Sequence, residues 1–221
     1  MAVSEPGEDL KPRLVTWEAG RSIVRAHSST FGSTEFDRRD DANARFSSIH
    51  PAGAVQGVLY GAVDHDAAAS ETVFHTVPAD DGTTADVRPR QVPLGPFEPW
   101  TWSSITCGRH LRLVELDGAG LAAVGSNREE LILSGRHDYP ITRRWADALW
   151  HAAPAADGLY WISRQAPGRP ALMLYEASDH RPGGVARHEL FAGGPPDPSF
   201  YPDGLERLFQ LAIRLNITIV V

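Results

Sequence analysis

Four side chains interrupt apolar surroundings with a group able to do chemistry: Arg25 in IVRAH, Tyr60 in VLYGA, Glu71 in ASETVFH and Ser163 in YWISR. Glu71 is the most demanding of them. Helical spacing puts Ala67, Ala68, Phe74 and His75 one turn away from it. A carboxylate among small apolar groups is expensive to bury ionised, so it requires a compensating partner or a chemical task. The planar guanidinium of Arg25 is suited to forked contacts with phosphate or carboxylate. Each residue also has an ordinary reading taken singly: a strand-edge arginine with its head in water, a core tyrosine with a satisfied hydroxyl, a helix glutamate in a salt bridge and a strand-terminal serine.

The elements that must position these groups follow from periodicity and turn chemistry. RSIVRAH reads as a strand with Ile23 and Arg25 on one face and Ser22, Val24 and Ala26 on the other. Phe31 to Ala44 is polar and expected as a loop, with order resuming at ARFS. Gly57 to His75 starts as a buried strand over Val58–Val63, turns through Asp64, His65 and Asp66, and continues as an alanine-rich helix carrying Glu71. Residues 78–104 are rich in proline and exclude regular helix. They are expected as a long surface excursion, in which Trp100 and Trp102 suit the cover of a pocket. Leu111–Leu116, Gly158–Ser163 and Ala171–Ala177 are expected strands. Gly118–Val124 is an expected short helix, and Pro140–Ala152 a longer one with Trp145, Ala148, Leu149 and Ala152 as its apolar stripe. Asp203 and Glu206 open a helix that turns Leu205, Leu208, Phe209 and Ala212 inward, and NITIVV closes the sequence as a strand. Unequal loops and few helices indicate α+β architecture in one domain over 13–221, after a flexible lead-in over 1–12.

Composition narrows the function classes. The chain has 221 residues, with 28 acidic against 21 basic groups and a formal charge of −7, which argues against broad nucleic-acid binding. Its one cysteine, Cys107, permits no intramolecular disulfide. The start, MAVSEPGEDLKPR, has acids and proline where a secretory signal carries a basic and then an apolar run, and no stretch has the apolar length of a membrane helix. A cytoplasmic setting is therefore expected. Lys11 is the single lysine, so almost every positive group is a guanidinium, a bias that a GC-rich coding sequence would also produce. A homo-oligomer is compatible with the sequence but not specified by it.

Several familiar sites are absent or imitated. GAGLAAVG after LRLVELD resembles a dinucleotide fingerprint, but its third glycine, Gly125, lies two positions late and no long βαβ unit surrounds it. The nine histidines form no HExxH and there is no second cysteine, so no metal is expected. No G-x-S-x-G marks a serine hydrolase.

In their order, VRAH, ARFS, VLYGAV, ASETVFH, TRRWADALW and DGLYWISRQ resemble the landmarks of the RES-domain family, toxins of bacterial Xre–RES toxin–antitoxin pairs named for an arginine, a glutamate and a serine. The resemblance spans about Arg21 to Ala177. It implies an ADP-ribosyltransferase-like fold of split mixed or antiparallel sheets flanked by helices, with NAD+ as substrate. On this resemblance Arg25 holds the pyrophosphate, Tyr60 stacks on the nicotinamide and Glu71 stabilises the oxocarbenium-like centre or holds the ribose hydroxyls and the attacking group. Ser163 then orients the ribose or the amide, and Arg45 is a further basic binding position. Water as acceptor gives a glycohydrolase, inorganic phosphate a phosphorylase and a protein side chain an ADP-ribosyltransferase. The family further implies an Xre-type helix-turn-helix antitoxin as partner. A catalytically silent binding module, with the proline- and tryptophan-rich segment recognising a partner, is the alternative from another class.

Overall fold

A computed structural model describes residues 3–42, 44–75, 77, 90–95, 100–194 and 203–220. Strands β1 (Leu14–Trp17), β2 (Ile23–Ser28), β3 (Val58–Ala62), β5 (Trp100–Cys107), β6 (Leu111–Glu115), β7 (Gly158–Ile162), β8 (Pro170–Tyr175) and β9 (Leu190–Ala192) form an eight-stranded sheet in the order β1-β6-β7-β8-β3-β2-β5-β9. The β6–β7 pair is parallel and the other neighbours are antiparallel. A separate parallel pair joins β4 (Gln91–Pro93) to β10 (Thr218–Val220). The helices are α1 (His65–Thr72), α2 (Gly118–Ala123), α3 (Arg128–Leu131), α4 (Tyr139–Ala152) and α5 (Asp203–Arg214). This is the expected mixed α+β domain with a mostly antiparallel sheet. No helix of the described residues is long and apolar enough to cross a membrane.

The central strands β7 and β8 are apolar on consecutive residues because both faces of the sheet are covered, as expected for strands packed on two sides. One face carries the core that includes Phe46, Phe74, Trp145, Leu149 and Trp161; the other packs Trp17, Ile23, Leu59, Ile105 and Leu113. The α4 stripe is rotated from the expected one. Thr142, Trp145, Ala146, Leu149 and Trp150 are buried, whereas Ala152 is exposed and Ala148 only half-buried. The segment expected as a lead-in is tied down near its start: Val3 is buried, Ser4 O accepts from Trp145 Nε1 at 2.7 Å, and Glu5 pairs with Arg144.

The largest correction concerns the excursion expected over 78–104. Residues 78–89 and 96–99 lie outside the described residues, but Trp100 opens β5, which pairs with β2 along six residues and lies inside the sheet. Trp102 is therefore a core residue. The prolines upstream and the small polar pair Ser103-Ser104 obscured a strand whose alternation is otherwise visible in WTWSSITC. The glycines of GAGLAAVG have a packing role. A side chain at Gly120 would approach the Glu115 carbonyl to 2.2 Å, so this glycine lets α2 lie against the end of β6.

A polar clamp fixes the start of β7. Asp157 is 2 % exposed and accepts from Arg109 Nη1 and Nη2, each at 2.9 Å, from Arg112 N at 2.8 Å and from Gly184 N at 3.1 Å. Arg109 continues to Glu189 at 2.7 Å, and its two carboxylate partners raise its pKa further above the usual guanidinium range. One buried carboxylate thereby joins the β5–β6 turn, β7 and the segment leading to β9.

Candidate active site

The site forms where the sheet is incompletely zipped. β2 and β3 pair only at Val24 and Ala62, whereas β2 pairs with β5, and β3 with β8, along their lengths. Gly61 makes the crossing possible, since a Cβ there would lie 2.3 Å from Ile23 Cγ2. Beyond that rung the strands do not pair, and Ala26, His27 and Ser28 on one side and Val58 and Tyr60 on the other line a cavity of about 450 Å³. This is within the usual range for small-molecule sites. Arg45 and Ser47 from the β2–β3 connection, Glu71 and His75 from α1 and just beyond it, Arg136 and Tyr139 near the start of α4, and Trp161 complete its wall.

Glu71 sits in the last turn of α1. Asp64 caps the helix start, its Oδ1 accepting from Ala67 N at 2.9 Å, and the small side chains Ala67, Ala68, Ala69 and Ser70 are buried, so the helix approaches the sheet closely. The expected partner-or-task tension is resolved by donors the sequence reading did not name. Trp161 Nε1 donates to Glu71 Oε2 at 3.1 Å, and Arg164 N to Oε1 at 3.4 Å. Arg45 Nη1 stands 3.6 Å from Oε2. A buried indole N–H requires an acceptor, and that was the signal available in GLYWISR.

Arg45 is itself 7 % exposed and, beyond that ion pair, its guanidinium makes no hydrogen bond among the described residues; its Nε is buried without a partner. Arg25 is also buried. Its Nη1 donates to Ser33 O and to Gly32 O, its Nε has no partner, and burial pushes its pKa down to about 10 despite the nearby Glu35 and Asp37, leaving it charged at neutral pH. Arg39 is held by both oxygens of Asp37. Two buried guanidiniums with spare donors around one cavity fit an anionic ligand.

Tyr60 reaches the same cavity. Its hydroxyl accepts from Phe46 N at 3.3 Å and donates to Ser47 Oγ at 3.2 Å, its ring meets Trp161 edge-on, and burial raises its pKa. Arg25, Arg45, Tyr60 and Glu71 are thus brought together. Ser163 is not: it is fully buried off the cavity wall, and its Oγ accepts from Ala166 N at 3.3 Å within a turn. Its neighbours in sequence, Trp161 and Arg164, make the contacts to Glu71.

His27, at the position following the arginine motif, is engaged at both nitrogens. Nδ1 donates to Ser28 O at 2.9 Å, so Nε2 accepts from Ser103 Oγ at 2.8 Å. Burial, reinforced by Arg25, pushes its pKa down to about 4 from an ordinary 6.5. The folded protein therefore binds fewer protons here than the unfolded chain, and the stabilising effect of the neutral ring is lost as pH falls from about 6.5 towards about 4. His27→Gln should flatten the decline of melting temperature across that window relative to wild type; an unchanged slope would contradict a neutral, buried His27.

Comparison with known proteins places the chain in a family. A RES domain family model matches residues 21–192. The chain belongs to the RES domain family. A chain of the crystal structure of the M. tuberculosis MbcT–MbcA toxin–antitoxin complex shares the fold, with a TM-score of 0.54 at 15 % identity over 85 % of this chain and 89 % of that one. No curated protein matches the sequence significantly. The RES domain thus spans β2 to β9 and includes every residue described at the cavity, while α5 and the β4–β10 pair's C-terminal strand lie beyond the matched residues.

Proposed function

We propose that this RES-domain protein is a toxin-type enzyme that cleaves the nicotinamide–ribose bond of NAD+. The observation that carries the reading is a carboxylate, Glu71, fixed by Trp161 and Arg164 on the wall of a cavity that also holds two under-engaged guanidiniums, Arg25 and Arg45. Breaking that bond develops positive charge on the ribose, and a preorganised carboxylate stabilises it without needing to reorient. The arginines answer the pyrophosphate, and the Tyr60 ring offers an aromatic surface to the cationic nicotinamide. Ser163 acts through its neighbours, holding the turn that aims Arg164 N at Glu71.

The acceptor is water or inorganic phosphate, and the partner that restrains the enzyme is an antitoxin of the Xre helix-turn-helix type in a cytoplasmic setting. Family membership and the shared fold with a chain of a toxin–antitoxin complex support this. Incubating the purified protein with NAD+ in phosphate-free and phosphate-containing buffer, and weighing the products, tests it. ADP-ribose marks hydrolysis and its phosphate adduct phosphorolysis, each with free nicotinamide. Intact NAD+ in both buffers, from a protein with native circular dichroism, would reject the proposal. Labelled protein in place of free product would redirect it to ADP-ribosyl transfer.

A further inference from the structure

Attack by water on the ribose carbon requires something to take the water's proton, and the structure narrows the candidates. Glu71 already receives donors on both oxygens. Both oxygens of Asp37 hold Arg39. His27 has an acceptor on Nδ1 and the Ser103 hydroxyl on Nε2. The remaining imidazole on the wall is His75, three residues past the end of α1. Its Nδ1 donates to Thr72 O, one of the carbonyls a helix leaves unpaired at its C-terminus. That bond fixes the tautomer, so Nε2 is the bare acceptor. Among the described residues Nε2 has no partner and is not among the buried atoms that lack one, and His75 is one of the residues lining the cavity.

We infer that His75 Nε2 is the general base for the water that attacks NAD+ at this site. The inference rests on the NAD-cleaving reading above. In the step, the water oxygen bonds to the ribose carbon as the bond from that carbon to the nicotinamide nitrogen breaks. The bonding pair goes to the ring nitrogen and cancels its positive charge, and the water's proton passes to Nε2 and then to solvent. Among the described residues the charged groups around the imidazole are Glu71 on α1, Arg45 on the β2–β3 connection, Arg136 before α4, and Arg164 after β7, whose Nη2 donates to His75 O. Burial and the two arginines Arg136 and Arg45 outweigh Glu71 and the Thr72 carbonyl, lowering the pKa and keeping the ring unprotonated at neutral pH. General-base catalysis of this type is worth about 10²–10⁴-fold.

The test compares wild type with His75→Asn in phosphate-free buffer, with and without sodium azide. Azide is an anion and attacks without losing a proton. His75→Asn should lose about 10²-fold or more in kcat with water, retain the wild-type rate of ADP-ribosyl azide formation, and lose the acidic limb of the kcat–pH profile. Equal losses with water and azide would reduce His75 to a structural role and overturn the inference, as would an unchanged kcat and acidic limb. Wild-type turnover with phosphate but none with water would also overturn it while leaving NAD+ cleavage intact. A wild type that leaves NAD+ untouched under all conditions would remove the function itself.

Discussion

Replacing Glu71 with glutamine should lower NAD+ consumption by about 10²–10³-fold while leaving NAD+ affinity within a few-fold of wild type. The magnitude is that typical of removing one preorganised electrostatic group from a water-poor site. The split between rate and affinity follows from the geometry. The glutamine would keep one carbonyl oxygen for Trp161 or Arg164 and place an NH2 where the second oxygen accepted, so the side chain stays in place but loses the negative charge that faces the reacting ribose. Arg25, assigned to the anionic half of the ligand, is untouched, and Arg45 loses only the charge of its 3.6 Å ion-pair partner while remaining a cation. Single-turnover kinetics together with calorimetric NAD+ binding checks both halves of the expectation. A variant with wild-type kcat would remove Glu71 from the chemistry, and one that binds no NAD+ would make it a binding group instead.

Asp157→Ala should be the most destabilising single change outside the hydrophobic core, by about 3–5 kcal/mol. The side chain is almost wholly buried, and its loss strands the N–H groups of Arg112 and Gly184 as well as one face of Arg109. For a chain of this size the expected fall in melting temperature is about 10 °C. Urea unfolding followed by tryptophan fluorescence measures it directly. A cost below about 1 kcal/mol would mean that Arg109, which is partly exposed, and the two amides are re-solvated without strain. Asp157 immediately precedes β7 and Trp161 lies near the strand's other end, so at low temperature the variant should keep NAD+-consuming activity even as its stability falls.

The legible parts of this protein were those whose signals are local. Val58–Ala62 and the helix carrying Glu71 follow from apolar runs and an Asp64 cap, and Arg25 shares a face with Ile23 as strand alternation requires. The order of short motifs likewise identified the family. What escaped was set by long-range contacts. WTWSSITC is a strand because β2 lies beside it, and its proline-rich flank gave no sign of that pairing. Trp161 and Arg164 hold Glu71 across about ninety residues of sequence, so periodicity alone could only state that Glu71 needed a partner. Ser163 was singled out as a polar group in an apolar setting and given its role by resemblance, yet it faces a turn; a serine at a strand end carries no mark that separates a ligand contact from a backbone one.

The lone rung between Val24 and Ala62 divides the eight-stranded sheet into two parts that meet at a thinly paired seam beside the cavity. Any molecule that grips Arg25 or His27 on one side and Tyr60 or Glu71 on the other becomes a cross-brace between the halves. By thermodynamic reciprocity, whatever factor such a brace adds to the resistance of the seam against opening, an opened seam subtracts from the affinity of the brace. A partner protein that wedges the halves apart would therefore silence this site without ever entering it.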